Sequence, residues 1–217
     1  MPDYVSPNFD SVALVSIDVQ RDLLDGQPYE IPGTSAAAAV IARLAEAFRA
    51  AERPIVHVVR LYREDGSNVD VCRRSAIEQG ARLVISGTPG SEIAGGIVPS
   101  GTALDTELLL SGGIQELGTS EVAVYKPRWG AFYGTPLEEH LRALGVSTLA
   151  FCGCNFPNCP RTSIYEASER DFRVVVAEDA ISGLYDRGRD ELRNIGVRLM
   201  TSEEIVSSLK SAAAATA

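Results

Sequence analysis

Short apolar runs alternate with amphipathic stretches along almost the whole of this 217-residue chain. The apolar runs are continuous and do not alternate with polar residues, which is typical of strands that are buried on both faces. Strands that alternate with helices favour a mostly parallel sheet with right-handed crossovers and helices on both sides. We therefore predict an α/β fold in three αβα layers, doubly wound around a mostly parallel six-stranded sheet.

The element boundaries follow from the same pattern. Strands are predicted over residues 12–18, 54–60, 121–125, 147–152, 173–177 and 197–200. Helices are predicted over residues 35–51, 69–80, 135–144, 159–170 and 189–195, and a capping box at residues 201–204 predicts one more. Residues 83–119 are rich in Gly and Ser, and we interpret them as an excursion over the active-site end with room for a short helix. The chain shows no dense linker, which predicts a single domain over residues 1–217.

The charge balance limits the classes of partner. The formal net charge is −9 and basic patches are lacking, so we expect neither nucleic acid nor an anionic membrane surface as a partner. The sequence contains no apolar stretch of membrane-spanning length and no signal-peptide pattern at its start. We therefore expect a cytoplasmic protein that acts on a small molecule, with its four cysteines as free thiols.

Cys159 lies where an apolar strand gives way, through a Pro- and Asn-rich turn, to a helix. A thiol in the first turn of a helix faces unpaired backbone N–H groups and the positive end of the helix dipole, and both favour the thiolate. Open α/β sheets also place their active sites at the carboxyl ends of strands. The position predicts a nucleophile.

Two further polar residues end predicted strands. Asp18 closes the first strand and Lys126 follows the third, so both can reach the sheet edge that carries Cys159. A carboxylate can accept the thiol proton, and a lysine can stabilise the thiolate. Each residue alone has an ordinary structural explanation, and their joint placement is what favours catalysis.

A metal site is the rival interpretation of the cysteines. Cys152, Cys154 and Cys159 could join Cys72 around zinc or an iron–sulfur cluster, but their spacing matches no paired C-x-x-C pattern. His57 lies in an apolar run, which favours a core histidine. We predict no metal site and no cofactor.

A set of short motifs resembles the isochorismatase-like cysteine hydrolases, which include nicotinamidases, N-carbamoylsarcosine amidases and ureidoacrylate amidohydrolases. The motifs are Ser16-Ile-Asp-Val-Gln-Arg-Asp22, Lys126-Pro-Arg-Trp-Gly-Ala-Phe132, Gly153 with Cys159, Arg161-Thr162 and Val176-Ala-Glu-Asp-Ala180. The resemblance implies a triad of Asp18, Lys126 and Cys159. It also implies a cis peptide bond between Cys154 and Asn155, an oxyanion hole from the N–H groups of Asn155 and Cys159, and a homo-oligomer, dimer or tetramer.

Two departures from the family pattern narrow the expected chemistry. The turn reads Asn155-Phe-Pro-Asn158 and is followed by Pro160, where the family usually has Thr-Asn or Thr-Asp before the cysteine. The sequence does not match the zinc site of the nicotinamidase-like members, and this mismatch counts against a nicotinamidase. Isochorismatases proper cleave a vinyl ether and generally lack the cysteine.

We therefore predict a cysteine hydrolase that cleaves a C–N bond in a small amide, ureido or carbamoyl compound through a thioester. Gln20, Trp129 and Phe132 are candidate substrate-binding residues, with packing as an equal alternative for the aromatic pair. Arginines that could pair with a substrate carboxylate are Arg60, Arg128 and Arg161. The alternatives are a non-catalytic binding subunit of the same fold, hydrolysis of an isochorismate-like vinyl ether, and a redox-active thiol protein.

Overall fold

One seven-stranded sheet organises the computed structural model, which describes residues 3–216. The strands are β1 (Val12–Ile17), β2 (Ile55–Val59), β3 (Ile114–Gly118), β4 (Glu121–Tyr125), β5 (Thr148–Gly153), β6 (Arg173–Ile181) and β7 (Arg198–Met200). Their order across the sheet is β3-β4-β2-β1-β5-β6-β7, and all neighbours are parallel except β3 and β4. The predicted α/β class and mostly parallel sheet are confirmed.

The helices cover both faces of this sheet. They are α1 (Thr34–Ala50), α2 (Val71–Glu78), α3 (Thr106–Leu110), α4 (Leu137–Ala143), α5 (Cys159–Ser168), α6 (Asp186–Asn194) and α7 (Ser202–Thr216). Side chains of α1, α3 and α7 share one apolar core with the sheet, and side chains of α4, α5 and α6 share the core on the opposite face. Residues 12–15 of β1 point alternately into the two cores, which explains why this part of the strand is continuously apolar. No helix in the described part of the chain is long and apolar enough to cross a membrane.

The predicted number of strands was wrong, because β3 lies inside the stretch interpreted as an excursion. This strand pairs antiparallel with β4 at the edge of the sheet, and only Leu117 in it is buried. An edge strand that is mostly exposed carries no continuous apolar run, so the pattern used for the other six could not detect it. The short helix anticipated in that stretch is α3, and Asp105 caps it by accepting the Leu108 N–H at 3.0 Å.

The strand order reverses between β1 and β5. From β1 the chain moves outward through β2 to β4, and it then returns to the other side of β1 to form β5. Crevices outside the carboxyl ends of strands at such a switch point are where open α/β sheets bind their ligands. The segments that follow β1 and β5 therefore border the crevice where a ligand is expected.

Glycine is required at the end of β5. Gly153 has φ +125°, and a Cβ atom built on it would lie 2.2 Å from the carbonyl oxygen of Ile17 in β1. The next residue, Cys154, donates its N–H to that same oxygen at 2.8 Å. The two strand ends thus lie closer together than any side chain at position 153 would permit.

A buried polar chain crosses the sheet beneath the strand ends. His57 Nε2 lies 2.8 Å from Glu121 Oε1, and its Nδ1 lies 2.7 Å from the Ser16 hydroxyl. A carboxylate can only accept, so Nε2 donates to Glu121, which Arg49 also contacts at 2.6 Å. These contacts confirm that His57 is a satisfied core histidine.

Candidate active site

The carboxyl ends of β1, β4 and β5 bring together the three residues predicted as a triad. Lys126 Nζ lies 2.8 Å from Asp18 Oδ2, and both side chains are buried. Asp18 and Cys159 line the same pocket, and the positive charge of Lys126 acts on the thiol. The three side chains thus lie at the sheet edge where the sequence predicted them, while their catalytic roles stay predictions.

Asp18 is held in an unusual backbone conformation that aims its carboxylate. Its φ is +52°, in the left-handed region that non-glycine residues seldom occupy, and its N–H donates to the carbonyl of Val58 at 2.9 Å. Oδ2 accepts from Lys126, whereas Oδ1 is buried and has no hydrogen-bond partner among the described residues. The site thus keeps one carboxylate oxygen free to accept a proton.

The protonation state of Cys159 differs from the sequence prediction. Burial raises the pKa of its thiol to about 11, and the negative charge of Asp18 adds to that rise, while Lys126 and Arg60 lower the pKa. The placement at a helix start favours the thiolate as predicted, but the almost complete enclosure of this thiol acts in the opposite direction and is the larger effect. Cys159 is a neutral thiol at rest, next to a carboxylate that can take its proton.

The turn before α5 presents two free backbone donors. Neither the Asn155 N–H nor the Cys159 N–H donates a hydrogen bond within the described residues. The predicted cis peptide bond between Cys154 and Asn155 was wrong, since residues 3–216 contain no cis peptide. Hydrogen bonds from Cys154 to Ile17 and from Phe156 to Ser182, each 2.8 Å, hold the turn with the trans bond that non-proline peptides favour.

Pro160 does not disturb this turn. It occupies the second position of α5, where the helix provides no partner for a backbone N–H. The departure from the family pattern at this position is therefore compatible with an intact helix start, and Cys159 keeps its place at the first position of α5.

A narrow pocket opens beside the thiol. It is lined by Asp18, Leu23, Ile31, Arg60, Tyr62, Arg73, Leu83, Val84, Cys154, Asn155 and Cys159. Its free volume of about 30 Å³ accommodates little more than one water molecule. Val84 in its wall has φ +43°, which is strained for a β-branched residue, and Asp22 accepts the Val84 N–H at 2.7 Å.

Comparison with known proteins identifies the family. The family model for the isochorismatase domain matches residues 12–204. The chain belongs to the isochorismatase family. A solved isochorismatase family protein from Desulfovibrio vulgaris is 32% identical with a TM-score of 0.78, covering 92% of this chain and 98% of that one.

Curated relatives of this family member include both amidases and a protein named as inactive. A probable inactive nicotinamidase of Arabidopsis thaliana is 27% identical over 201 residues, which is 89% of this chain and 94% of the relative. A ureidoacrylate amidohydrolase of Methylorubrum extorquens is 26% identical over 198 residues, covering 82% and 73%. The chain is thus an isochorismatase-family hydrolase with amidases among its relatives.

The three predicted substrate-binding residues of this isochorismatase-family protein do not line the pocket. Gln20 is buried, and its amide is fully engaged with the Arg60 backbone N–H and with the carbonyls of Arg60 and Ser91. Phe132 packs in the core with its ring centroid 6.0 Å from that of Phe172. Trp129 lies under Arg73, whose guanidinium carbon is 4.5 Å from the ring centroid. Their direct contact with substrate stays a prediction.

Of the three arginines that were candidates for binding a substrate carboxylate, one lines the pocket and two do not. Arg60 lines the pocket, whereas Arg161 is paired with Tyr185 and Glu191 away from it. Arg128 is half exposed and donates to the carbonyl of Pro127. The structure adds Arg73 and Tyr62, which sequence reasoning missed.

A partial signal for these two residues existed in the sequence. Tyr62 comes two residues after Arg60 and hence close to a strand end, where polar side chains can reach the site. Nothing in the sequence indicates that Arg73, in α2, would fold back onto the same pocket.

The other cysteines are inert or remote. Burial raises the pKa of Cys154 to about 12 and raises that of Cys152 further, so neither is a ready metal ligand. Cys72 is exposed on α2. Residues 3–216, as far as they are described, contain no cluster of three or more His, Cys, Asp or Glu side chains able to hold a metal ion. The residues present therefore do not fit a zinc site.

Proposed function

We propose that the protein is a cysteine amidohydrolase that cleaves a C–N bond of a small amide, ureido or carbamoyl compound. One observation carries the proposal: a neutral thiol, a carboxylate with a free oxygen and a buried lysine meet at the switch point of the sheet. A nucleophile whose proton can pass to an adjacent base is the arrangement that acyl transfer requires.

The first half-reaction forms a thioester. Sulfur of Cys159 attacks the carbonyl carbon while its proton passes to the free oxygen of Asp18, so no resting thiolate is needed. The C–N bond then breaks, and Asp18 returns that proton to the leaving nitrogen, which departs as ammonia or an amine. Lys126 Nζ, 2.8 Å from the other carboxylate oxygen, holds the Asp18 carboxyl group in place while its free oxygen carries the proton.

The second half-reaction consumes one water molecule. Asp18 accepts a proton from the water while the water oxygen bonds to the thioester carbon. The C–S bond then breaks, and Asp18 returns that proton to the sulfur, which leaves as the Cys159 thiol. In both halves the carbonyl oxygen gains negative charge, which the free N–H groups of Asn155 and Cys159 can stabilise. The products are a carboxylic or carbamic acid and the regenerated enzyme.

Relatives and pocket size support this reaction class. The Methylorubrum relative is named as an amidohydrolase, and the residues that line the pocket beside Cys159 include polar side chains that a small polar substrate can contact. We extend the proposal to a homo-oligomeric enzyme that needs no cofactor.

Ammonia release provides the test. Cys159→Ala should abolish ammonia release from amides, ureas and carbamoyl compounds, and Asp18→Asn should lower kcat by about 10²- to 10⁴-fold. Cys72→Ala is the matched control, because that thiol is exposed on another helix, and it should retain wild-type turnover.

Three results would contradict the proposal. They are undiminished turnover in Cys159→Ala, vinyl-ether cleavage in place of ammonia release, and no turnover of any substrate by the wild-type protein. The last result would favour the non-catalytic alternative, for which the Arabidopsis relative named as inactive is a precedent.

A further inference from the structure

A cluster of charged and polar side chains forms the wall of the Cys159 pocket that lies away from the catalytic turn. We name it the anion cluster and define it as Arg60, Tyr62 and Arg73, which all line the pocket. Asp70 holds the cluster together: its Oδ2 accepts from Arg60 at 2.7 Å, from Tyr62 at 2.6 Å and from Arg73 at 3.1 Å. Their positions are therefore fixed before any ligand arrives.

Arg60 has a donor that nothing in the protein uses. One of its terminal nitrogens binds Asp70 and the carbonyl of Pro127, and the other binds the carbonyl of Arg128 at 2.6 Å. Its Nε–H is buried and has no hydrogen-bond partner among the described residues. Buried donors are nearly always satisfied, so an orphan beside an active-site pocket indicates a missing acceptor.

The charges around the pocket do not balance. The charged side chains that line the pocket are Arg60 and Arg73, which are positive, and Asp18, which is negative. Arg128 approaches Asp70 only at 3.9 Å and is half exposed, so solvent screens it. An enclosed excess of one positive charge favours a ligand that brings one negative charge.

We propose that the anion cluster binds a carboxylate of the substrate, so that the enzyme acts on amides, ureas or carbamoyl compounds that also carry a carboxylic acid. This inference rests on the proposed function. The planar guanidinium of Arg73 is partly exposed and accessible from the pocket, and the free Nε–H of Arg60 provides a second donor. Arg73 and Arg60 would then determine specificity without touching the bond that breaks.

A rival explanation assigns the extra charge to the nucleophile, because the charge of Arg60 also acts on the Cys159 thiol. The two explanations predict different kinetics. A charge that serves the thiol affects every substrate equally and moves the pH profile. A charge that binds carboxylate affects only acidic substrates, through KM.

Two pairs of compounds separate the explanations, and the second member of each pair lacks the carboxylate: succinamate against butyramide, and N-carbamoylglycine against propylurea. The wild-type enzyme should favour the acid of each pair in kcat/KM by about 10- to 100-fold, as expected for hydrogen bonds to a charged group. Arg73→Gln should remove most of that preference by raising KM for the acids far more than for their neutral partners, and Arg73→Lys should restore part of it. Arg74→Gln is the control, because Arg74 is the exposed neighbour on α2 and does not line the pocket.

Several outcomes would overturn the inference. Equal losses for both members of a pair in Arg73→Gln, with a shifted pH profile, would assign the charge to Cys159. A preference for 3-phosphonopropanamide over succinamate would show that the cluster binds phosphate-like dianions. If no substrate releases ammonia, the proposed function fails, and calorimetry with succinate then tests carboxylate binding by itself. Succinate binding that is lost in Arg73→Gln would support the inference. No succinate binding to the wild-type protein would overturn it.

Discussion

Lys126 Nζ lies 2.8 Å from Asp18 Oδ2, and both side chains are buried. Removal of one member of a buried ion pair leaves an unpaired charge and costs about 3–5 kcal/mol. We therefore expect Lys126→Met to lower the free energy of unfolding by that amount, and the double variant Asp18→Asn/Lys126→Met to recover part of the loss. Urea denaturation of the wild type, both single variants and the double variant measures the coupling. Effects that add within about 0.5 kcal/mol would contradict direct coupling.

Cys159 should react slowly with iodoacetamide at neutral pH. Burial raises the pKa of its thiol to about 11, and the thiolate is the reactive form, so its alkylation rate should rise about tenfold per pH unit between pH 7 and 10. Peptide mapping by mass spectrometry follows each cysteine separately, and exposed Cys72 should be modified first. Cys72→Ser provides a background without the competing thiol. A rate that already levels off below pH 8 would show that the resting state is a thiolate.

Glu121 should make the fold sensitive to acid. Burial alone would raise the pKa of Glu121, but hydrogen bonds from Arg49 and His57 hold it at about 2, below the ordinary value of 4.5. The unfolded chain therefore takes up this proton first as the pH falls. The resulting stabilisation of about 3 kcal/mol is complete above roughly pH 5, and about 2 kcal/mol of it is lost by pH 3.

Urea denaturation at pH 7 and pH 3 tests this acid dependence. Glu121→Gln should show a smaller difference between the two pH values than the wild-type protein does, because its side chain does not titrate. Glu139→Gln, at an exposed position of α4, should keep the wild-type difference. An unchanged difference in Glu121→Gln would assign the acid sensitivity to other carboxylates.

Gly153→Ala should be among the most damaging single substitutions. The added Cβ would lie 2.2 Å from backbone oxygen in β1, which cannot move without breaking the sheet, so we expect a loss of more than about 4 kcal/mol or no soluble protein. Gly145→Ala is the matched control: its φ is also positive, at +69°, but nothing lies within 4 Å of the added atom. That variant should lose only about 1–2 kcal/mol. Similar losses in the two variants, by thermal and urea unfolding, would show that backbone conformation and not contact is decisive.

Trp129 should act on the substrate through Arg73. The indole ring lies under the guanidinium at 4.5 Å, a distance at which aromatic faces attract cations. Trp129→Leu should therefore raise KM for succinamate and leave butyramide unaffected, whereas Trp129→Phe should retain most of the acid preference. Equal KM values for succinamate in the wild-type and Leu variants would show that the ring does not position Arg73.

Strands that are buried on both faces were predictable from sequence, because two covering layers favour a short continuous run of mostly apolar residues. The same rule could not detect β3, which has a solvent-exposed edge. The positions of Asp18, Lys126 and Cys159 were predictable as well, since the carboxyl ends of parallel strands share one edge of the sheet.

The electrostatic state of the site was not predictable from local sequence. The pKa of Cys159 depends on how completely the surrounding segments enclose it, and that is a property of the folded chain. Arg73 belongs to a helix whose sequence gives no hint of the pocket it reaches. Trp129 looked like a pocket residue, and only the structure shows that its ring is occupied by an arginine.

The contact between Gly153 and Ile17 has an evolutionary consequence. Asp18 directly follows β1, and Cys159 begins the helix after the turn at the end of β5, so both proposed catalytic residues are anchored to neighbouring strand ends whose spacing is set by backbone atoms. Loop residues such as Leu83 and Val84 can therefore change by mutation, and alter what the pocket admits, without moving Asp18 away from Cys159. A fold in which loops shape the pocket and strand ends anchor the reacting residues can change its substrate while it keeps its reaction.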